Sequence, residues 1–217
     1  MELYGYYRSS TSYRLRIALA LKGIEYRAHY VSLPDEAQRS PDYLAVNPQG
    51  LVPTLIDEGT AYTQSLALLE YLDETHPEPP LLPPDAGGRA QVRALAQIVG
   101  CEIHPLNNLR VLKYLKGPLA LDEAARDRWY RHWMGEGLDN YENSLARLDE
   151  QGGRSAGRSY GDSVTIADIC LVPQIFNAQR FRCPLEAYPR TMAVFEACMA
   201  LPAFETTQPK HQPDAVS

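Results

Sequence analysis

Leu3-Tyr4-Gly5-Tyr6-Tyr7-Arg8-Ser9-Ser10-Thr11-Ser12-Tyr13-Arg14 decides how the chain begins to fold. Its first five residues, rich in aromatics, predict a strand, and Ser12–Lys22, ended by Gly23, predicts a helix. Four hydroxyl residues in a row join the two, with an arginine on each side. Further along, Glu25–Val31 predicts a second strand and the polar segment Pro34–Tyr43 a short helix. Pro53–Ile56 predicts a third strand, Asp57-Glu58-Gly59 a turn, and Ala61–Thr63 a fourth strand. Leu66–Glu74 repeats apolar residues at helical spacing. The order β-α-β-α-β-β-α predicts a small mixed sheet with helices on its faces.

His76–Gly88 holds five prolines and two glycines and cannot continue a helix or a central strand, so it predicts the domain boundary. Residues 1–80 are expected to form one domain and residues 88–217 a second, all-helical one. In the second, Arg89–Tyr114 predicts one long helix kinked at Pro105. Ala120–Asp149, Thr165–Gln179 and Pro189–Leu201 predict further helices, and the polar tail after Phe204 is expected to fray.

Composition excludes several classes. At 217 residues, 45% hydrophobic and 22% charged, the chain is neither disordered nor fibrous. No apolar run approaches the roughly 18 residues that span a bilayer, and no secretory signal is visible. With 27 acidic and 21 basic residues, the net charge of −6 argues against nucleic-acid binding. Cys101, Cys170, Cys183 and Cys198 lack CxxC spacing, which predicts reduced, buried thiols in a cytoplasmic protein. The five histidines show no metal-ligand spacing, so no metal is expected.

Three connections carry chemistry. Hydroxyls at 9–12 suit helix capping, but four exceed what one cap requires, and a helix N-terminus stabilises an anion placed there. In Asn47-Pro48-Gln49-Gly50-Leu51-Val52-Pro53-Thr54-Leu55, a trans proline at a sheet edge is the plain expectation. A cis Val52-Pro53 bond is the sharper one, since it would turn the Val52 N–H and C=O toward an extended peptide-like ligand. Gln64-Ser65 opens another helix and could hold a carboxylate as readily as it caps. Elsewhere, Thr165-Ile166-Ala167-Asp168 fits a capping box with Asp in place of Glu, and Trp129 and Trp133 share one helix face.

These segments, with Cys101–Leu112, Asp168–Gln174 and Gln208–Asp214, resemble the zeta class of the glutathione transferase superfamily nearly end to end. The resemblance implies an α+β thioredoxin-like N-terminal domain, an all-α C-terminal domain and a homodimer. It implies a glutathione-dependent cis–trans isomerase of maleylacetoacetate or maleylpyruvate. Ser9, Ser10 and Thr11 would surround the glutathione thiol, Val52 would pair with its backbone, Gln64 and Ser65 would hold the γ-glutamyl carboxylate, and Gln38 would lie near the glycyl end. His104, Asn108 and Arg110 match positions lining the same site, and Arg8, Arg110 and Arg180 would hold the carboxylates of a small dicarboxylate substrate. On sequence alone, Arg110 and Arg180 also read as ordinary cations near helix C-termini. Many zeta members carry a cysteine where this chain has Thr11. A transferase or α-haloacid dehalogenase of the same fold, or a non-catalytic binding protein, are the competing functions.

Overall fold

The computed structural model describes residues 1–215. It opens with β1 (Glu2–Gly5), α1 (Ser10–Leu21) and β2 (Arg27–Tyr30), followed by α2 (Pro41–Val46). The hairpin of β3 (Thr54–Asp57) and β4 (Thr60–Thr63) comes next, and α3 (Ser65–Thr75) closes the segment. The sheet order is β2-β1-β3-β4. β1 runs parallel to β2, as a helical crossover requires, and antiparallel to β3. Glu58 and Gly59 both adopt positive φ (47° and 78°), the backbone of a two-residue hairpin turn. This is the mixed, thioredoxin-like sheet expected from the sequence.

β1 is shorter than its aromatic run. Tyr6 and Tyr7 leave the ladder because their N–H groups donate to Ser12 Oγ (3.3 Å) and Asp214 Oδ2 (2.9 Å). α1 begins at Ser10 rather than Ser12, with Ser9 as its N-cap. It is buried along most of its length, including Arg14 and Arg16.

The helical part begins with α4 (Ala86–Gln97), three residues earlier than expected, because Asp85 accepts the Gly88 N–H at 2.7 Å as an N-cap. The single long helix over 89–114 is not formed. α4 passes into a π-helical turn, Ile98–Ile103, then α5 (His104–Asn107) and α6 (Leu109–Lys116). The break falls at Asn108 rather than at Pro105: Asn108 takes ψ 163° and its side chain caps α6 by accepting the Val111 N–H at 3.2 Å. α7 (Glu123–Glu150), α8 (Ile166–Arg180) and α9 (Pro189–Met199) complete this part. A Cβ at Gly137 of α7 would come within 2.1 Å of Ile103 Cγ1, so only glycine allows the π-helical turn to lie this close. α8 is buried from Ile166 through Ile175 and supplies the core.

The chain divides into two compact units, Leu82–Met199 and Met1–Leu81 joined by the segment from Ala200 onward. That assignment corrects the expectation that the C-terminal tail belongs to the helical domain and frays. The tail forms α10 (Pro202–Glu205) and a 3-10 turn, Pro209–His211, against the first unit. Tyr13 Oη donates to Phe204 O at 2.7 Å, Arg16 Nε to Thr207 O at 3.1 Å, and Phe204 is fully buried. These long-range partners outweigh the tail's polar composition. The proline-rich linker is tied down likewise: Lys22 Nζ donates to Asp73 Oδ1, His76 O and Pro79 O at 2.6–3.1 Å.

Candidate functional site

In the first unit, the hydroxyls at the start of α1 separate into different duties. Ser12 is buried and serves the backbone through Tyr6, and Ser10 is buried as well. Ser9 and Thr11 are half-buried and form a directed chain. Ser12 N–H donates to Ser9 Oγ (3.2 Å), Ser9 Oγ lies 2.9 Å from Thr11 Oγ1, and Thr11 Oγ1 donates to Val52 O (3.1 Å). With Thr11's proton on Val52, the proton between the two hydroxyls belongs to Ser9. Ser9 therefore does cap α1, and the capping expectation holds for it.

The Val52-Pro53 bond is cis, as the sharper expectation had it. Asn47, 1% exposed, fixes the loop from inside. Its Nδ2 donates to Leu51 O (2.8 Å) and Thr54 Oγ1 (3.0 Å), and its Oδ1 accepts the Gln49 N–H (3.0 Å). A carbonyl has two lone pairs, so Val52 O keeps accepting capacity beside Thr11. Gln38 is buried in the 3-10 turn Ala37–Arg39, and its Oε1 has no hydrogen-bond partner. Gly50 takes φ 61°, and a Cβ there would lie 2.8 Å from Arg39 Nη1, so this turn requires glycine.

α3 opens differently. Gln64, its N-cap, stands at φ 70° and makes no capping hydrogen bond, its side chain donating instead to Gln49 Oε1 at 2.8 Å. A non-glycine residue held there stores on the order of 1–3 kcal/mol of strain, a cost concentrated at functional sites. Ser65 Oγ accepts Arg14 Nη1 at 3.1 Å. Arg14 is 1% exposed, and its Nε and Nη2 have no hydrogen-bond partner. Arg8 is exposed, with its guanidinium 5.6 Å from the Tyr7 ring centre.

In the second unit, His104 is the first residue of α5, directly after the π-helical turn. Arg110 sits in the first turn of α6 and is exposed, which overturns the expectation of a helix C-terminus. A cation there faces the positive end of the helix, so helix stabilisation does not explain it. Arg180 does end α8, its guanidinium 4.6 Å from the centre of the Phe181 ring. Among the described residues no group of three or more His, Cys, Asp or Glu could hold a metal ion, and no helix is long and apolar enough to cross a membrane.

Two family models match the chain: the glutathione S-transferase N-terminal domain over residues 8–75 and the C-terminal domain over 122–197. The maleylpyruvate isomerase of a Ralstonia species is 48% identical over 99% of this chain and 100% of its own. The chain belongs to the glutathione S-transferase family. Its zeta-class resemblance holds in three dimensions too. The holo structure of a zeta-class bacterial maleylpyruvate isomerase matches with a TM-score of 0.95 at 47% identity, covering both chains fully. That of the Methylobacterium extorquens AM1 maleylacetoacetate isomerase, with malonate and glutathione bound, matches at 0.94 and 38% identity, also covering both chains fully.

For this transferase-family chain, sequence reasoning singled out the hydroxyls and missed what holds them. Arg14 was noted only as an arginine flanking the hydroxyls, and Asn47 and Gln49 only as part of the Asn47–Leu55 stretch, with no role given to any of the three. The cysteine expectation needs one correction: Cys101 is exposed, on the π-helical turn, whereas Cys170, Cys183 and Cys198 are buried. Burial pushes the Cys183 thiol up to about 11 and Cys198 higher, so both stay protonated and inert near neutral pH.

Proposed function

We propose that this protein is a glutathione-dependent cis–trans isomerase acting on maleylacetoacetate or maleylpyruvate. The observation that carries this is near end-to-end identity with proteins bearing both isomerase names, 48% for a maleylpyruvate isomerase and 45% for the Pseudomonas aeruginosa maleylacetoacetate isomerase.

The first unit's own groups fit glutathione. An uncapped α3 entrance with Ser65 suits a carboxylate, the Val52 peptide suits an extended backbone, and Gln38 Oε1 is a buried acceptor in want of a donor. When bound, glutathione supplies a thiolate that adds to the conjugated double bond, permits rotation and is then expelled. Ser9, Ser10 and Thr11 are assigned to the sulfur. For Thr11 to donate there, its proton must leave Val52 O, and Ser9's proton can then follow or replace it. A charge-assisted hydrogen bond together with the α1 N-terminus supports a thiolate near neutral pH, each unit of depression requiring about 1.4 kcal/mol.

Val52 is assigned to the peptide backbone, Gln64 and Ser65 to the γ-glutamyl carboxylate, and Gln38 to the glycyl end. His104, Asn108 and Arg110 are assigned to the same ligand from the helical unit. Asn108 would do this while also capping α6. Arg8, Arg110 and Arg180 are assigned to the substrate's carboxylates, which bidentate guanidinium pairs orient and whose developing enolate charge they offset. Support for Arg110 is its place at a helix N-terminus, where a cation lacks a helix-stabilising role. The protein is further proposed to act in the cytoplasm as a homodimer, with residues 1–80 carrying the glutathione site and the helical domain the substrate contacts. Four cysteines in no disulfide, together with the zeta resemblance, support those two assignments.

Turnover of each diacid, measured with and without reduced glutathione, tests the function. Isomerisation that requires glutathione and is not supported by S-methylglutathione is expected. Activity only against halogenated acids or electrophilic transferase substrates would replace it with the dehalogenase or transferase reading.

A further inference from the structure

We infer that Arg14 is a positioning residue for the α-carboxylate of a γ-glutamyl ligand, acting from beneath α3 through Ser65; this rests on glutathione being the ligand. Among the described residues, Arg14 is the largest fully buried polar side chain. Its guanidinium donates from Nη1 to Ser65 Oγ at 3.1 Å, and Nε and Nη2 end on no acceptor. A buried cation with unmet donors is costly unless something compensates it. Packing alone would be served better by leucine or methionine.

The consequence for Ser65 is directional. A hydroxyl has one proton and accepts through its lone pairs. With the guanidinium donating into the oxygen, the Ser65 proton must point elsewhere and so is presented as a donor. Ser65 is the first residue of α3, whose N-cap Gln64 offers no capping oxygen. The leading N–H groups of the helix therefore lack a side-chain acceptor as well. A helix N-terminus alone would be weak ground. Here a second, independent feature lies beneath it: a guanidinium buried to 99%, donor-only, bonded to the one hydroxyl at that entrance. The groups left over at this place are N–H and O–H donors, with Ser65 Oγ already accepting from Arg14, which matches a carboxylate better than an ammonium or amide N–H.

The test uses two ligands, reduced glutathione and 4-aminobutanoyl-cysteinyl-glycine, which lacks only the γ-glutamyl α-carboxylate. Calorimetry on the folded protein should show Arg14→Met weakening glutathione about tenfold or more while the truncated peptide binds as to wild type. Arg14→Lys should restore part of the loss. Should Arg14→Met unfold the unit by removing a core side chain, Arg14→Lys serves as the second variant and should itself discriminate less between the two ligands than wild type. In a Ser65→Ala background, changing Arg14 should add little. At saturating glutathione, kcat should stay within about twofold, the loss appearing in the glutathione KM. Equal weakening of both ligands, or undiminished discrimination by the variants, would make Arg14 a packing residue and overturn the inference. Failure of wild-type protein to bind glutathione at all would instead overturn the cofactor reading, and this inference with it.

Discussion

The entrances of α3 and α8 use similar residues to opposite ends. At α8, Asp168 is wholly buried and collects the Thr165 N–H (2.7 Å), the Thr165 hydroxyl (3.0 Å) and the Ser159 N–H (2.8 Å). Ser159 Oγ is in turn paired with Tyr141 Oη at 2.7 Å. The chain supplies its own carboxylate there, and the capping box read from Thr165–Asp168 is present. At α3 the donors are also in place, in Ser65 and Arg14, but the residues around them provide no carboxylate cap. One entrance is closed and holds the helical core, whereas the other has no side-chain cap of its own, as the proposed γ-glutamyl carboxylate site requires. Hydroxyls at a helix start therefore say little by themselves. Whether their partners are complete separates scaffold from site.

The sharpest way to break this comparison is Asp168→Ala, which leaves three buried donors unmatched and should cost about 3–5 kcal/mol in urea unfolding. If α8 were merely an ordinary cap, the loss would be near 1 kcal/mol. Burial pushes the Asp168 carboxyl above its usual range, against the donors that pull it down. A carboxyl whose folded pKa is raised does not lose stabilisation as pH falls, so Asp168 is not the source of acid lability.

Ser65→Ala tests the open entrance. A hydrogen bond to a charged group is worth about 1.5–3 kcal/mol, so glutathione affinity should fall roughly ten- to a hundredfold, alongside a stability loss of about 1–3 kcal/mol because buried Arg14 Nη1 loses its acceptor. A drop in stability without a drop in affinity would place α3 in the same class as α8.

α1 lies between the two extremes, since Ser9 both caps the helix and is assigned to the sulfur. Ser9→Ala should cost about 1 kcal/mol of stability and also lower turnover. If the triple alanine variant at positions 9, 10 and 11 kept full kcat and an unchanged pH–rate profile, the loop would be a cap and nothing more.

The smallest effect is expected at Asp149. Partial burial raises its pKa, but Arg154 and Arg190, at 2.8 Å each, more than reverse that and hold it below the usual carboxylate range. A depressed folded pKa gives stability that is present above about pH 4 and is lost as pH falls through the folded value. Asp149→Asn should therefore flatten the acid limb of the stability curve slightly, most visibly at low salt, because the group is exposed. An unchanged acid limb would show that the ion pairs contribute nothing.

Local chemistry made much of the protein legible in the sequence. Strand and helix order in the first unit, the hairpin at Glu58-Gly59, the Thr165–Asp168 box and the three connections around 9–12, 52–53 and 64–65 each depend on neighbours within a few residues. Backbone sterics and capping act over that range, so composition and spacing suffice to read them. The tertiary structure decided what depends on distant partners. It docked the polar tail through Tyr13 and Arg16, ended the long helix at Asn108 rather than Pro105, and exposed Cys101 on a π-helical turn. It also buried Arg14 under Ser65. A hydrogen bond between residues fifty-one positions apart leaves no periodic trace in the chain, and an arginine in a helix reads as solvated until packing closes over it.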